Sequence, residues 1–257
     1  LDAAHSLSDA FDRPIDLMDK NKGLPTQIAD NLWLQEIDVQ DALNQHWGEI
    51  YTYLSILFEK TGFNQVIAEE LAILPGMEEV VALLYINYFH AQKEYDVIVL
   101  DCAPTGESLR FLSMPTTLEW YMSKLFKLER NIMKVARPLA KTFADVPLPG
   151  DEVFVSVENL FERLKGVNEL LLNPQYTTVR LVTNPEKMVV KETQRAFMYF
   201  CMYGMTVDAV IINRLLSTEI QDPYFQQWKR IQQSHVDEIE DYFAPVPTFK
   251  LYLQPDE

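Results

Sequence analysis

The stretch Tyr95-Asp96-Val97-Ile98-Val99-Leu100-Asp101, followed by Pro104-Thr105-Gly106, most constrains what this chain can fold into. Four apolar residues run without alternation into an aspartate, and a proline–glycine turn follows. Such a run between turn signals fits a strand buried on both faces, as inside a parallel sheet. Ligands of these sheets lie beyond the carboxyl ends of the strands, so Asp101 stands where a ligand would be met. An aspartate there, with nothing basic beside it, suits a magnesium ion held near phosphates. The pattern fits a polar cap on a buried strand equally well.

The rest of the chain alternates helices and strands. Periodicity and turn residues place strands at 31–37, 177–183, 207–213 and 248–253, with 1–31 as a polar loop carrying short helical pieces. Helices are expected at 41–60, 65–73, 78–93, 151–172, 185–203 and 223–243, and one or two more at 116–146. This order predicts an α/β fold with a mostly parallel sheet and helices on both faces. Helices in 38–94 and 107–175 exceed what crossovers need, so they are expected to form an added helical lobe on a single domain, 1–257.

Composition excludes several functions. A formal charge of −16 argues against nucleic acid, whose phosphates need clustered Lys and Arg. No apolar stretch approaches the roughly 20 residues that span a bilayer, and no signal peptide opens the chain. Cys102 and Cys201, far apart in apolar segments, read as reduced, buried thiols of a cytoplasmic protein. None of the eight glycines lies in a Gly-rich loop followed by Lys-Ser or Lys-Thr, so no P-loop is present in these residues. The abrupt first and last residues lead us to expect a chain truncated at both ends, with a strand upstream of Leu1.

Two stretches carry a resemblance. Asp101-Cys102-Ala103-Pro104-Thr105-Gly106-Glu107-Ser108-Leu109-Arg110 is similar to the switch II signature of the ArsA-type anion-transporting ATPases and their relatives that target tail-anchored membrane proteins. Asp2-Ala3-Ala4-His5-Ser6-Leu7-Ser8-Asp9-Ala10-Phe11 resembles the same family's switch I. Leu43 to Trp47, Thr183 to Glu186, Glu192 to Arg195 and Ile211 to Leu216 add shorter matches, so the likeness covers essentially the whole chain.

The resemblance implies a P-loop NTPase-like fold, ATP and Mg2+ as cofactors, and roles for particular residues. Asp2 would orient the water that attacks the γ-phosphate. Asp101 would hold the magnesium ion through its water shell, and Pro104, Thr105 and Gly106 would form the loop that senses the nucleotide. Asn213 would read the adenine edge with its amide; on its own it reads as a polar strand end. Departures are visible. The family's P-loop would lie upstream of Leu1, Ala3 stands for a proline, and Glu107 stands for a histidine. Two cysteines cannot build the three-thiolate metalloid site of the arsenite-pump members, and the zinc-holding Cys-x-x-Cys of eukaryotic members is absent.

Met122, Leu125 and Met133 in 116–146 read as core or, as in the targeting relatives, as a groove for a client's transmembrane helix rimmed by Lys and Arg. His46, His90 and His235 have no second ligand at metal spacing and read as structural. Three functions follow as expectations. One is a magnesium-dependent ATPase that opens and closes a homodimer for anion transport or membrane-protein handling. Another is a nucleotide-regulated carrier of tail-anchored proteins. The last is a non-hydrolysing interaction protein, should the P-loop be truly absent. The expected partners are a second copy, a membrane transporter subunit or an apolar helix client, in the cytoplasm or peripheral at the membrane.

Overall fold

A computed structural model of the chain describes residues 7–11, 23–37, 42, 77–102, 120 and 151–254. The chain divides into two compact units, 1–167 and 168–257.

In the first unit, α1 (Leu7–Ala10) is followed by a hairpin of β1 (Thr26–Ala29) and β2 (Leu32–Leu34). The strands pair antiparallel, Thr26 opposite Leu34 and Gln27 opposite Trp33, across the turn at Asp30 and Asn31. β1 falls in the segment expected to be loop and helix; at four residues its alternation is too brief to read without the partner strand. Glu36, only 5% exposed, follows β2 and accepts hydrogen bonds from the Ser8 backbone N–H at 2.9 Å and the Ser8 hydroxyl at 3.2 Å. These bonds offset the cost of burying a carboxylate and tie α1 to the hairpin.

Helix α2 (Met77–Gln92) buries Val80, Val81, Ala82, Leu83, Ile86 and Phe89, close to the expected 78–93, and ends at Lys93 with φ of 53°. It lies against α3 (Asp151–Leu164), with the Asn87 amide donating to Arg163 O. The expected single helix at 151–172 is two, because Gly166 takes φ of +86° and starts a new helix, α4 (Val167–Leu172). A glycine entering the left-handed region is the usual way a helix stops.

The expected strand at 97–100 is not formed. Residues 97–102 have no regular secondary structure, and Val97 and Val99 are 76% and 86% exposed. An apolar run becomes a strand only when neighbouring backbone takes up its N–H and C=O groups. No described strand pairs with this one. Just before it, Tyr95 packs edge-on against Phe89 at 5.2 Å and Trp33 at 5.5 Å. Burial, then the charge of Glu94, pushes its phenol above the ordinary value.

The second unit is a three-stranded parallel sheet, β3 (Val179–Thr183), β4 (Val207–Leu215) and β5 (Thr248–Tyr252), in that spatial order. The crossovers are α5 (Lys187–Met202) and α6 (Pro223–Phe243). Both steps run the same way across the sheet, so crossovers of one hand place both helices on one face. There Leu181, Val190, Val210, Ile212, Ile239 and Phe243 form the core, and Phe197 meets Phe243 edge-on at 5.3 Å. On the other face Val182, Ile211 and Phe249 stand in register, with Val182 61% and Phe249 56% exposed.

Local signals explain these boundaries. Asp222 caps α6 by accepting the Tyr224 N–H at 2.8 Å, with Pro223 as the first helical residue. Helix α5 closes at Gly204, φ +80°, where Gly204 N–H reaches Cys201 O and Met205 N–H reaches Phe200 O. The two cysteines are exposed rather than buried. Cys201 follows core-packed Phe200 by one residue, about 100° round the helix, and Cys102 lies on the segment without regular secondary structure. His90 and His235 are helical as expected, while His46 lies outside the described residues. So do the expected helix at 65–73, that at 41–60 except helical Ala42, and those at 116–146 except helical Trp120.

The two crossover helices are also joined by Glu238, which accepts from Lys191 Nζ at 2.7 Å and lies 3.5 Å from His235 Nδ1. The Lys191 hydrogen bond, outweighing desolvation and helped by His235, holds the Glu238 carboxyl below its ordinary value. A depressed carboxyl stabilises the fold above its unfolded value and loses that contribution as pH falls through the folded one. Wild-type melting temperature is therefore expected to fall more steeply below about pH 4 than that of Glu238→Gln. The difference is small, because the side chain is 37% exposed. Parallel curves in a thermal melt series from pH 6 to pH 3 would contradict it.

Candidate functional site

The carboxyl end of a parallel sheet is where its strands stop pairing and leave room for a ligand. In the second unit that edge holds Thr183, the last residue of β3, Asn184 after it, and Asn213 to Leu216 at the end of β4. Thr183 is buried, its Oγ1 2.9 Å from Thr193 Oγ1, which in turn donates to Val189 O at 2.8 Å. The Thr193 hydroxyl thus has Thr183 Oγ1 and Val189 O both within reach of its proton, and the pair fastens the end of β3 to α5.

Asn213 lies two residues before the end of β4 and is half-buried. The residue after it, Arg214, has φ of 58°, a conformation uncommon without glycine. This bend lets the Arg214 backbone N–H donate to Asn213 Oδ1 at 2.9 Å. The Asn213 carbonyl oxygen is thus turned to its own backbone, and the Nδ2 hydrogens are what the amide offers a ligand. The strand resumes at Leu215, opposite Tyr252.

The loop beyond is pinned by α6. Gln232 Oε1 accepts the Leu216 N–H at 3.0 Å, and its Nε2 donates to Arg214 O at 3.2 Å. Lys229 Nζ donates to Thr218 O at 3.0 Å and Ile220 O at 2.6 Å. Neither residue emerges from sequence reasoning. Both sit in a polar stretch of α6, and only the packing of that helix beside the end of β4 gives them partners.

Of the other expected site residues, Asp2, Pro104, Thr105 and Gly106 lie outside the described residues. Asp101 is described, exposed, and belongs to the first unit, whereas Asn213 belongs to the second. No group of three or more His, Cys, Asp or Glu able to hold a metal occurs among the described residues. An exposed lone carboxylate still fits Mg2+, which keeps several waters and takes one or two carboxylates beside substrate phosphates. Asn213 fits a nucleobase edge by its amide donors. Among the described residues no helix is long and apolar enough to cross a membrane.

Comparison with known proteins bears on what such an edge serves. A protein of Aquifex aeolicus, provisionally named arsenical pump-driving ATPase 1, is 52% identical over 261 residues, covering all of this chain and 66% of its own length. One of Chlorobaculum tepidum, with a similar provisional name, is 39% identical over 259 residues and covered to 62%. An ATPase ASNA1 homolog of Entamoeba histolytica is 28% identical over 271 residues and covered to 77%. The chain thus spans less than two thirds of the length of the first two of these relatives. The family described as anion-transporting ATPase matches residues 1–257. The family resemblance of the two switch-like stretches therefore extends over the whole chain, and the chain belongs to the anion-transporting ATPase family.

Proposed function

We propose that the intact protein is a magnesium-dependent ATPase of the ArsA type, in which ATP binding and hydrolysis open and close a homodimer. The reading is supported above all by the family match across residues 1–257, which takes in both switch-like motifs. Bound ATP supplies the phosphoryl group and Mg2+ neutralises charge developing on it. Asp2 holds the attacking water in line and Asp101 holds the waters around the metal. Pro104 to Gly106 change conformation with the state of the nucleotide, and Asn213 donates to the base. Residues 1–257 contain no Gly-rich loop followed by Lys-Ser or Lys-Thr, so in this reading the phosphate cradle comes from elsewhere in the intact protein.

A carrier of apolar transmembrane helices is the second reading. It is favoured by Trp120, helical and 57% exposed, at the head of a stretch containing Met122, Leu125 and Met133. Both readings place the protein in the cytoplasm, at times peripheral to the membrane. Steady-state ATP turnover by the intact protein is expected to vanish on adding EDTA and return with Mg2+. Stimulation by arsenite favours the anion-pump role and stimulation by an apolar helix peptide the carrier. Turnover indifferent to EDTA would overturn the magnesium assignment, and no turnover at all would leave the non-hydrolysing alternative.

A further inference from the structure

We propose that Gln232 is a positioning residue of the nucleotide site, clamping the bend that aims the Asn213 amide and so setting preference for the base. The proposal rests on the reading of Asn213 as a nucleobase contact. One side-chain amide makes two bonds to backbone groups two residues apart, donating to Arg214 O at 3.2 Å and accepting from Leu216 N–H at 3.0 Å. That is how a neighbouring peptide would grip the end of a strand. The gripped groups flank Leu215 and come directly after the left-handed turn at Arg214, φ 58°, a conformation that costs a non-glycine residue about 1–2 kcal/mol and persists where surroundings enforce it.

The bend has a chemical consequence. With Arg214 N–H donating to Asn213 Oδ1 at 2.9 Å, the amide cannot easily turn its acceptor outward. It presents donors, which suit the N1 acceptor on the Watson–Crick edge of adenine. The Watson–Crick edge of guanine, with its N1–H and amino donors, needs the opposite face of the amide. Releasing the bend frees the amide to flip and lets guanine compete. Gln232 stands 19 positions along the chain from Asn213, and α6 alone brings it to this place. It acts through the backbone that follows the contacting residue, at Arg214 and Leu216, without touching the base.

The test uses the intact protein and calorimetric binding of ATP and GTP, with melting temperature measured in parallel. Gln232→Met keeps length and removes both bonds. It is expected to weaken ATP several-fold and to lower the ATP-over-GTP affinity ratio about tenfold, equivalent to about 1.4 kcal/mol. Adding Arg214→Gly, which adopts the bend without strain, is expected to restore part of that ratio without restoring the lost bonds. A merely structural glutamine would shift melting temperature, leave the ratio unmoved and gain nothing from the glycine; that pattern overturns the proposal. Asn213→Ala separates the two layers. If it lowers the ratio while Gln232→Met does not, the clamp alone is wrong. If Asn213→Ala leaves ATP and GTP affinities untouched, the base-contact reading falls and the clamp falls with it.

Discussion

Asp2→Asn in the intact protein is expected to cut kcat for ATP by about 10²–10⁴-fold while KM for ATP stays within about threefold. The substitution keeps the shape of the side chain and removes its charge and its ability to accept a proton. Phosphoryl transfer leaves the protein little covalent chemistry to perform, so the rate depends on where water and metal are held. A group that orients the attacking water contributes in the transition state and hardly at all to ground-state binding, which is why the loss belongs in kcat. Asp101→Asn makes the contrast. A carboxylate that holds the waters of Mg2+ affects binding of the metal–nucleotide pair, so its variant is expected to demand more Mg2+ for half-maximal turnover. The measurement is steady-state hydrolysis over a matrix of ATP and Mg2+ concentrations. An Asp2→Asn protein that turns over at the wild-type rate would remove Asp2 from the mechanism, whatever Asp101 does.

What the residues announce and what they conceal follows from how local each cause is. Helix α6 is read from 223 to 243 and found at Pro223–Phe243, because Asp222 as cap, Pro223 at the first position and Val236, Ile239 and Phe243 at helical spacing all lie within the segment. The parallel sheet is legible for the same reason, in apolar runs each followed by a helix. The run at 97–100 has the same composition and no strand, since strand formation is a property of neighbours and not of the run. The sequence pattern ends β4 at Asn213, but the strand continues to Leu215 through a left-handed arginine for which the sequence holds no sign. Gly166 stands inside an otherwise helical pattern, where an isolated glycine is tolerated at a cost of about 1 kcal/mol, so the residue alone does not mark the end of the helix. At the sheet edge, the position of Asn213 near the end of a strand is legible in the sequence. The hydrogen bonds of Gln232 to Arg214 O and Leu216 N–H are not, because tertiary placement creates them and its own neighbours, Ile231 and Gln233, say nothing of them.

Phe243→Ala is expected to produce the largest loss of stability of any single truncation in the second unit, about 3–5 kcal/mol. Phe243 is 1% exposed and closes the core at the last turn of α6, edge-on to Phe197 at 5.3 Å. Its removal leaves a ring-sized void between both helices and the sheet, among close-packed side chains that relax only in part. At roughly 4–8 °C per kcal/mol for a unit of this size, the melting temperature falls by at least about 12 °C. Tyr242, next in sequence, is 48% exposed, so Tyr242→Ala is expected to cost only about 1 kcal/mol. The pair therefore tests the direction of the helix face and not aromatic content. Because α6 starts near the end of β4 and finishes before the start of β5, Phe243 sits at the end of the sheet away from Asn213. Nucleotide affinity measured well below the melting temperature should accordingly be preserved in Phe243→Ala, whereas Gln232→Met changes affinity with little loss of stability. Equal melting shifts for Phe243→Ala and Tyr242→Ala would mean that the packing of α6 on this sheet is wrong.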